Sequence, residues 1–399
     1  MSRFASPLRA DELLQATLRH AGRNDFHDLS FLPALERLVE ACNEEASLSP
    51  MGLHAARLDF LRCLRNVLRL DAVEATVPQI RSRPIEAPVF ITAMPRSGTT
   101  FLHRLILRDT KAAAPRLHQL VFPTAPTAGG AAVLVKSWVC LQLTLFRLFA
   151  PELHALHPLS VSAPEECTDI IAHVFKSLRF DSIYRVPSYR AWLQRTGLLD
   201  GYRFHKRFLQ HLDAREPGRR WVLKSPDHIF ALGELLKVYP DAHLVFVHRD
   251  PLRVLGSVTK LTEVLRRPFS RNIDRVEIGR EVSAAWLEGA RRMRELAASG
   301  TRVLHLHYVD IVRDPLDAVQ AVYEHCNLPF TEEAQERMWR SLQPSRRIQR
   351  RRRYELAEYG LDRGTLREQF TSYVKAFDVD LEDEDSVLED RRVVSFQHG

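Results

Sequence analysis

The chain has 399 residues, 45% of them hydrophobic, so it is an ordinary globular protein that can bury one large core, and length alone allows two or three domains. A formal charge of +7 favours an anionic partner without demanding one. Five scattered cysteines (Cys42, Cys63, Cys140, Cys167, Cys326) without a C-x-x-C pair, and no cationic-apolar leader before Asp11, argue against a disulfide scaffold and predict a cytoplasmic protein with reduced thiols.

Residues 1–84 read as a helical N-terminal cap. Apolar residues recur at three- and four-residue spacing through ADELLQATL, LPALERLVEAC and GLHAARLDFLRCLRNVL. Ser49-Pro50 supplies an N-cap and a first-turn proline for the last of these helices.

From Pro88 the texture changes. PVFITAM (Pro88 to Met94), WVLKS (Trp221 to Ser225), AHLVFVH (Ala242 to His248) and RVLHLHY (Arg302 to Tyr308) are continuous apolar runs, as expected of strands buried on both faces. Helical stretches separate them. The expected fold class is therefore α/β, a three-layer α/β/α arrangement on a central parallel sheet, with ligands at the carboxyl ends of the strands.

The strongest local signal follows the first strand, in VFITAMPRSGTTFLHRLIL. A Pro-Arg-Ser-Gly turn leads into a helix starting near Thr99, with Phe101, Leu102, Leu105 and Ile106 on its inner face. Backbone N–H groups and the positive end of that helix make an anion cradle, and Gly98 allows close approach. Against the nucleotide-binding pattern G-x-x-x-x-G-K-[ST], Ala93 replaces the first Gly, Gly98 matches the second, Thr99 replaces the Lys and Thr100 keeps the hydroxyl. Losing that Lys disfavours a P-loop nucleotide kinase, while Arg96 keeps a guanidinium fork for a doubly anionic group.

PRSGTT after a buried strand resembles the 5′-phosphosulfate-binding loop of sulfotransferases, and more narrowly the bacterial group related to tyrosylprotein sulfotransferases. The resemblance implies a P-loop NTPase-like fold over 85–375. It also implies transfer of a sulfonate from 3′-phosphoadenosine-5′-phosphosulfate (PAPS) to a hydroxyl or similar acceptor of a small molecule, lipid or glycan, without a metal. Arg96, Ser97, Gly98, Thr99 and Thr100 would hold the 5′-phosphosulfate. The alternatives are a non-catalytic nucleotide-binding protein and a P-loop nucleotide kinase.

Residues 111–218 form a helical insertion without clear strands, the natural place for acceptor specificity. Within it, Ala131 to Ala150 is interrupted by Lys136, Gln142 and Arg147, too short to span a bilayer that needs roughly 20 apolar residues, and reads as a buried or interfacial helix. Trp138, Phe146, Phe149, Tyr189 and Trp192 lean the acceptor toward aromatic, sterol or lipid-like molecules, although they serve equally as helix core. Where relatives commonly carry a Trp-Glu pair with the general base, this chain has His118 and Gln119. Glutamine cannot take a proton, so His118, whose ordinary pKa near 6.5 leaves it neutral, is the expected base, with Glu165 and Glu166 in reserve.

Lys224 ends the second apolar run and points into the same crevice; the resemblance assigns it the bridging oxygen and the sulfonate. After the third run, Arg249 sits at a strand end and Asp250-Pro251 starts a helix carrying Ser257 two turns on. Arg249 and Ser257 are placed to share one phosphate, and the matching pair in the family binds the 3′-phosphate. The alternative is that Arg249 pairs with Asp250 and Ser257 with its own backbone.

Arg346, Arg347 and Arg350 to Arg353 form a basic run that either closes over the nucleotide or is a solvated face. No aromatic interleaving accompanies it, and nucleic acid is not expected as a partner. The block RRRYELAEYGLDRGTLREQFTSYVKAF resembles the C-terminal region of the same bacterial group, with Tyr359 where Phe is usual. Residues 376–399 read as a mobile acidic tail. Among 17 histidines no metal pattern emerges: His305 and His307 alternate on one strand, and His154 and His157 lack a third ligand. The expected partners are PAPS and an acceptor, with no transmembrane span; a homodimer is compatible with the sequence.

Overall fold

The computed structural model describes residues 6–149, 152, 160–342 and 355–382. Among these residues five strands, β1 (Val89–Ala93), β2 (Ala112–Ala113), β3 (Arg220–Lys224), β4 (His243–His248) and β5 (Val303–His307), pair in parallel in the order β2-β3-β1-β4-β5. Val89 is in register with Val222 on one side and His243 on the other. The chain moves outward from β1 to β2 and β3 and then crosses back to β4. The carboxyl end of β1 is therefore a switch point, flanked by the ends of β3 and β4, where an open parallel sheet leaves a crevice for a ligand.

The layers follow from side-chain alternation along the strands. Val89, Ile91, Ala93, Val245 and Val247 share a core with Leu102, Leu105 and Ile106 of α4 (Thr99–Ile106) and with Val319 and Val322 of the helix Pro315–His325. Phe90, Leu223 and Leu244 face a second core. There they meet α1 (Ala10–Ala21), α2 (Leu32–Glu44), α3 (Pro50–Thr76) and helices of the insertion, with Phe60 of α3 set edge-on to Phe175 at 5.8 Å. Ser49 caps α3 as its sequence predicts, its hydroxyl accepting from the Gly52 amide at 3.0 Å, with Pro50 in the first turn.

Four expectations need correction. Among its described residues the insertion contains one strand, β2, two residues long and too short to leave a pattern. β5 is an edge strand, with His305 exposed, and is not buried on both faces. The apolar stretch from Ala131, read as a buried or interfacial helix, forms α6 (Gly129–Phe149), after α5 (Leu117–Val121); the buried alternative fails, because Leu134 and Leu148 are more than two-thirds exposed. The chain after 376 is not free at once: Val379 is buried and Phe377 stacks on His248 with ring centres 4.2 Å apart. His154, His157, the Arg346–Arg353 run and residues 383–399 lie outside the described residues.

Candidate active site

After β1 the chain turns through Arg96 (φ 66°) and Gly98 (φ 87°), two left-handed residues within three positions. Such a turn aims successive amide N–H groups at one point, the geometry of a backbone anion cradle. A non-glycine residue in this region costs on the order of 1 kcal/mol, so Arg96 has to be held there. It is held from both sides of its own chain: Arg249 Nη1 donates to the Arg96 carbonyl at 2.6 Å, and the buried Ser97 hydroxyl donates to the Met94 carbonyl at 2.8 Å. A Cβ on Gly98 would lie 2.9 Å from the Tyr308 ring, so the loop has both backbone and space reasons for glycine.

At the end of β3, Lys224 is almost wholly buried and its Nζ donates to Thr100 Oγ1 at 3.3 Å and to Glu166 Oε1 at 2.5 Å. Burying an ammonium is costly unless it is paired, and Glu166 provides the pair. The loop that carries Glu166 is pinned to the strand by the Cys167 amide, which donates to the Lys224 carbonyl at 3.1 Å. Asp227 lies just past β3; burial pushes its carboxyl up to about 6, opposed by the hydrogen bond from Thr168 Oγ1 at 2.6 Å and aided by the charge of Glu166. On α4, burial beside Lys224 pushes His103 down to about 3, and its Nε2 lies 2.9 Å from the Val222 carbonyl, to which a neutral ring donates.

At the end of β4, Arg249 lies over the Tyr308 ring at 3.8 Å. Its Nε and Nη2 donate to the two Glu382 oxygens at 2.6 and 3.0 Å. Asp250 does not pair with Arg249. It caps α7 (Pro251–Arg266) through the Leu252 amide at 2.9 Å, forms a two-pronged ion pair with Arg367 and accepts from the Glu382 amide at 3.0 Å. Ser257 meets Arg96 directly, its Oγ accepting from Arg96 Nε at 3.2 Å, and reaches Arg249 only through that residue. Arg96, Arg249 and Ser257 thus form one cluster, 153 residues of sequence separating the two arginines.

His118 lies on the segment that pairs with the loop before Glu165, through the Leu117 amide on the Ala163 carbonyl at 3.1 Å and the Glu165 amide on the Pro115 carbonyl at 2.9 Å. Its Nδ1 lies 2.9 Å from the Val161 carbonyl, so Nδ1 carries the proton and Nε2 is left as an acceptor. Partial burial lowers its pKa, keeping the ring neutral. No described hydrogen bond joins His118 to Lys224 or the loop after β1, and Gln119 is used locally, accepting from the Arg116 amide at 2.9 Å. Glu165 is buried and acts on Arg104, whereas its neighbour Glu166 faces Lys224. Tyr189 is a core residue whose hydroxyl donates to the Phe175 carbonyl at 2.8 Å, and Trp192 lies under Lys176, so neither needs an acceptor to explain it. Sequence reasoning missed Tyr308, signalled by an aromatic residue at a strand end, and Glu382, which nothing in its acidic surroundings distinguishes. Among the described residues no group of His, Cys, Asp and Glu is arranged to hold a metal ion.

Comparison with known proteins places these features in context. The profile described as the sulfotransferase family matches residues 88–332, from the start of β1 past β5. The crystal structure of sulfotransferase STF9 from Mycobacterium avium superposes with a TM-score of 0.83 at 28% identity, over 96% of this chain and 100% of that one. Sulfotransferase STF1 from Mycobacterium tuberculosis H37Rv gives 0.77 at 26% identity, over 92% and 99%. An omega-hydroxy-beta-dihydromenaquinone-9 sulfotransferase, Stf3, of Mycobacterium tuberculosis is 25% identical over 266 residues, 61% of this chain and 63% of that protein.

Proposed function

This chain belongs to the sulfotransferase family, and we propose that it transfers a sulfonate from PAPS to a hydroxyl of a small-molecule or lipid acceptor. The observation that carries the reading is the convergence of three strand ends: Lys224 reaches Thr100 while Arg249 reaches the Arg96 carbonyl. One crevice therefore offers an amide cradle and a lysine for a phosphosulfate, and a guanidinium cluster with Ser257 for a second phosphate. The two are far apart in sequence and adjacent in space, which suits a doubly phosphorylated nucleotide.

In this reading the loop amides and Thr100 bind the 5′-phosphosulfate, and Arg249, Ser257 and Arg96 bind the 3′-phosphate. The acceptor oxygen attacks sulfur in line as the bond from sulfur to the bridging phosphate oxygen breaks, and 3′-phosphoadenosine-5′-phosphate (PAP) departs. Lys224 stabilises the negative charge that builds on the bridging oxygen, the kind of contact that counts most in such transfers. Glu166 is the better-placed base: as Lys224 turns to the donor, the carboxylate it held is released beside the sulfonate to take the acceptor proton. His118 is a second reading on one observation, its unprotonated Nε2. The acceptor class leans to a lipid because Stf3 is named for a hydroxylated menaquinone. A cytoplasmic setting for the five free cysteines belongs to the same proposal.

Calorimetric titration with PAP tests the donor site. Micromolar binding that Arg249→Ala weakens at least tenfold supports it, and tight ATP binding indifferent to a 3′-phosphate overturns it. Turnover of labelled donor separates the bases: Glu166→Gln should abolish it with His118→Ala active, and the reverse would make His118 the base.

A further inference from the structure

Helix α6 carries an exposed apolar face that the sulfonate-transfer reading does not use. Val133, Leu134, Trp138, Leu141, Leu145 and Leu148 are 48% to 73% exposed. At about 100° per residue these six positions fall in one sector about 140° wide, running about 22 Å along the axis. The other residues of that sector are Gly130, Ser137 and Thr144, so it holds no charge. Scattered surface leucines need no explanation, but a contiguous stripe of this kind marks a surface that meets something apolar.

The charges of the helix say what. Residues 129–149 contain no Asp or Glu, and their two cations, Lys136 and Arg147, fall together along one margin of the stripe. A second copy docked face to face would bring both pairs of cations to one apolar seam with no acidic group on either helix to offset them. An anionic lipid surface matches both features: acyl chains accept the stripe, headgroup phosphates accept the cationic margin, and Trp138 suits the boundary between them. No described helix is long and apolar enough to cross a membrane, so α6 would lie in the interface plane. Its opposite side, with Ala132 and Val139 buried, is already packed on the protein, where α6 touches α5. We propose that α6 docks this protein onto anionic membranes, stripe inward.

The test uses the full chain and vesicles of phosphatidylglycerol and phosphatidylcholine in a flotation assay. The protein should float with mixed vesicles and not with phosphatidylcholine alone, and Leu134→Asp/Leu145→Asp should lower the bound fraction at least tenfold without moving the thermal midpoint, since both side chains are exposed. Replacing Trp138 by Phe should remove the blue shift of emission seen on vesicle addition. Failure to float, equal flotation of the double variant, or light scattering that shows a dimer dissolved by the same substitutions would overturn the proposal. PAP binding is measured separately, so loss of the membrane result leaves the donor reading standing, and the converse.

Discussion

Glu382→Gln should make this protein bind PAP more tightly. In the structure Glu382 grips Arg249 through two hydrogen bonds of 2.6 and 3.0 Å, with Arg253 4.0 Å away, so the carboxylate sits where the reading places a phosphate. The two paired side chains are 16% and 12% exposed. That places the pair above the ~0.2–1 kcal/mol of solvent-exposed ion pairs and nearer the ~1.5–3 kcal/mol of charged hydrogen bonds. A 3′-phosphate has to displace it. Glutamine keeps a neutral contact but not the charge, so about 1–2 kcal/mol returns to the ligand, about a five- to thirtyfold fall in Kd. Val379, buried, and the Glu382 amide on Asp250 should hold the segment in place, so the fold is unaffected. Calorimetry with PAP and with adenosine 5′-monophosphate decides the matter, because the second ligand lacks the group that competes. Equal tightening of both ligands, or no tightening of PAP, would refute the reasoning.

Lys224→Ala should lower turnover about 10²- to 10³-fold while PAP affinity moves only a few-fold, read by steady-state kinetics beside calorimetry. Gly98→Ala puts a methyl group 2.9 Å from the Tyr308 ring at a left-handed φ; it should cost about 1–3 kcal/mol in urea unfolding and abolish PAP binding, and a stable variant that binds normally would contradict the loop geometry. Burial pushes His103, His173 and His205 each down to about 3, so the unfolded chain takes up their protons first and stability should fall as pH drops from 6.5 toward 3. His103→Gln keeps a donor for the Val222 carbonyl and should make that fall shallower by about 1.4 kcal/mol per pH unit, whereas an unchanged slope would show that His103 does not titrate this way.

Much of this site was legible in residue order because its parts are local. Apolar runs without alternation located β1, β3 and β4; Ser49-Pro50 and Asp250-Pro251 marked helix starts that the structure keeps; and the loop after β1 declared its glycine, its arginine and its hydroxyls in six consecutive positions. The apolar stretch of α6 was also visible, but periodicity registers only which residues share a face. Whether that face meets a core or solvent depends on what else the chain brings there.

Residue order could not choose between partners that compete for the same group. Arg249 had Asp250 next to it and took Glu382, 133 residues away, because Asp250 was committed to its helix cap and to Arg367. Glu165 and Glu166 are equal as letters, and the Cys167 amide on the Lys224 carbonyl turns the second of them onto a lysine 58 positions distant. Sequence alone set the family, the strand ends and the turn after β1, since these are written in short-range pattern and turn chemistry. Tertiary structure alone set which charges meet, since a buried ion takes whichever counter-ion packing delivers, and packing is a property of the whole chain.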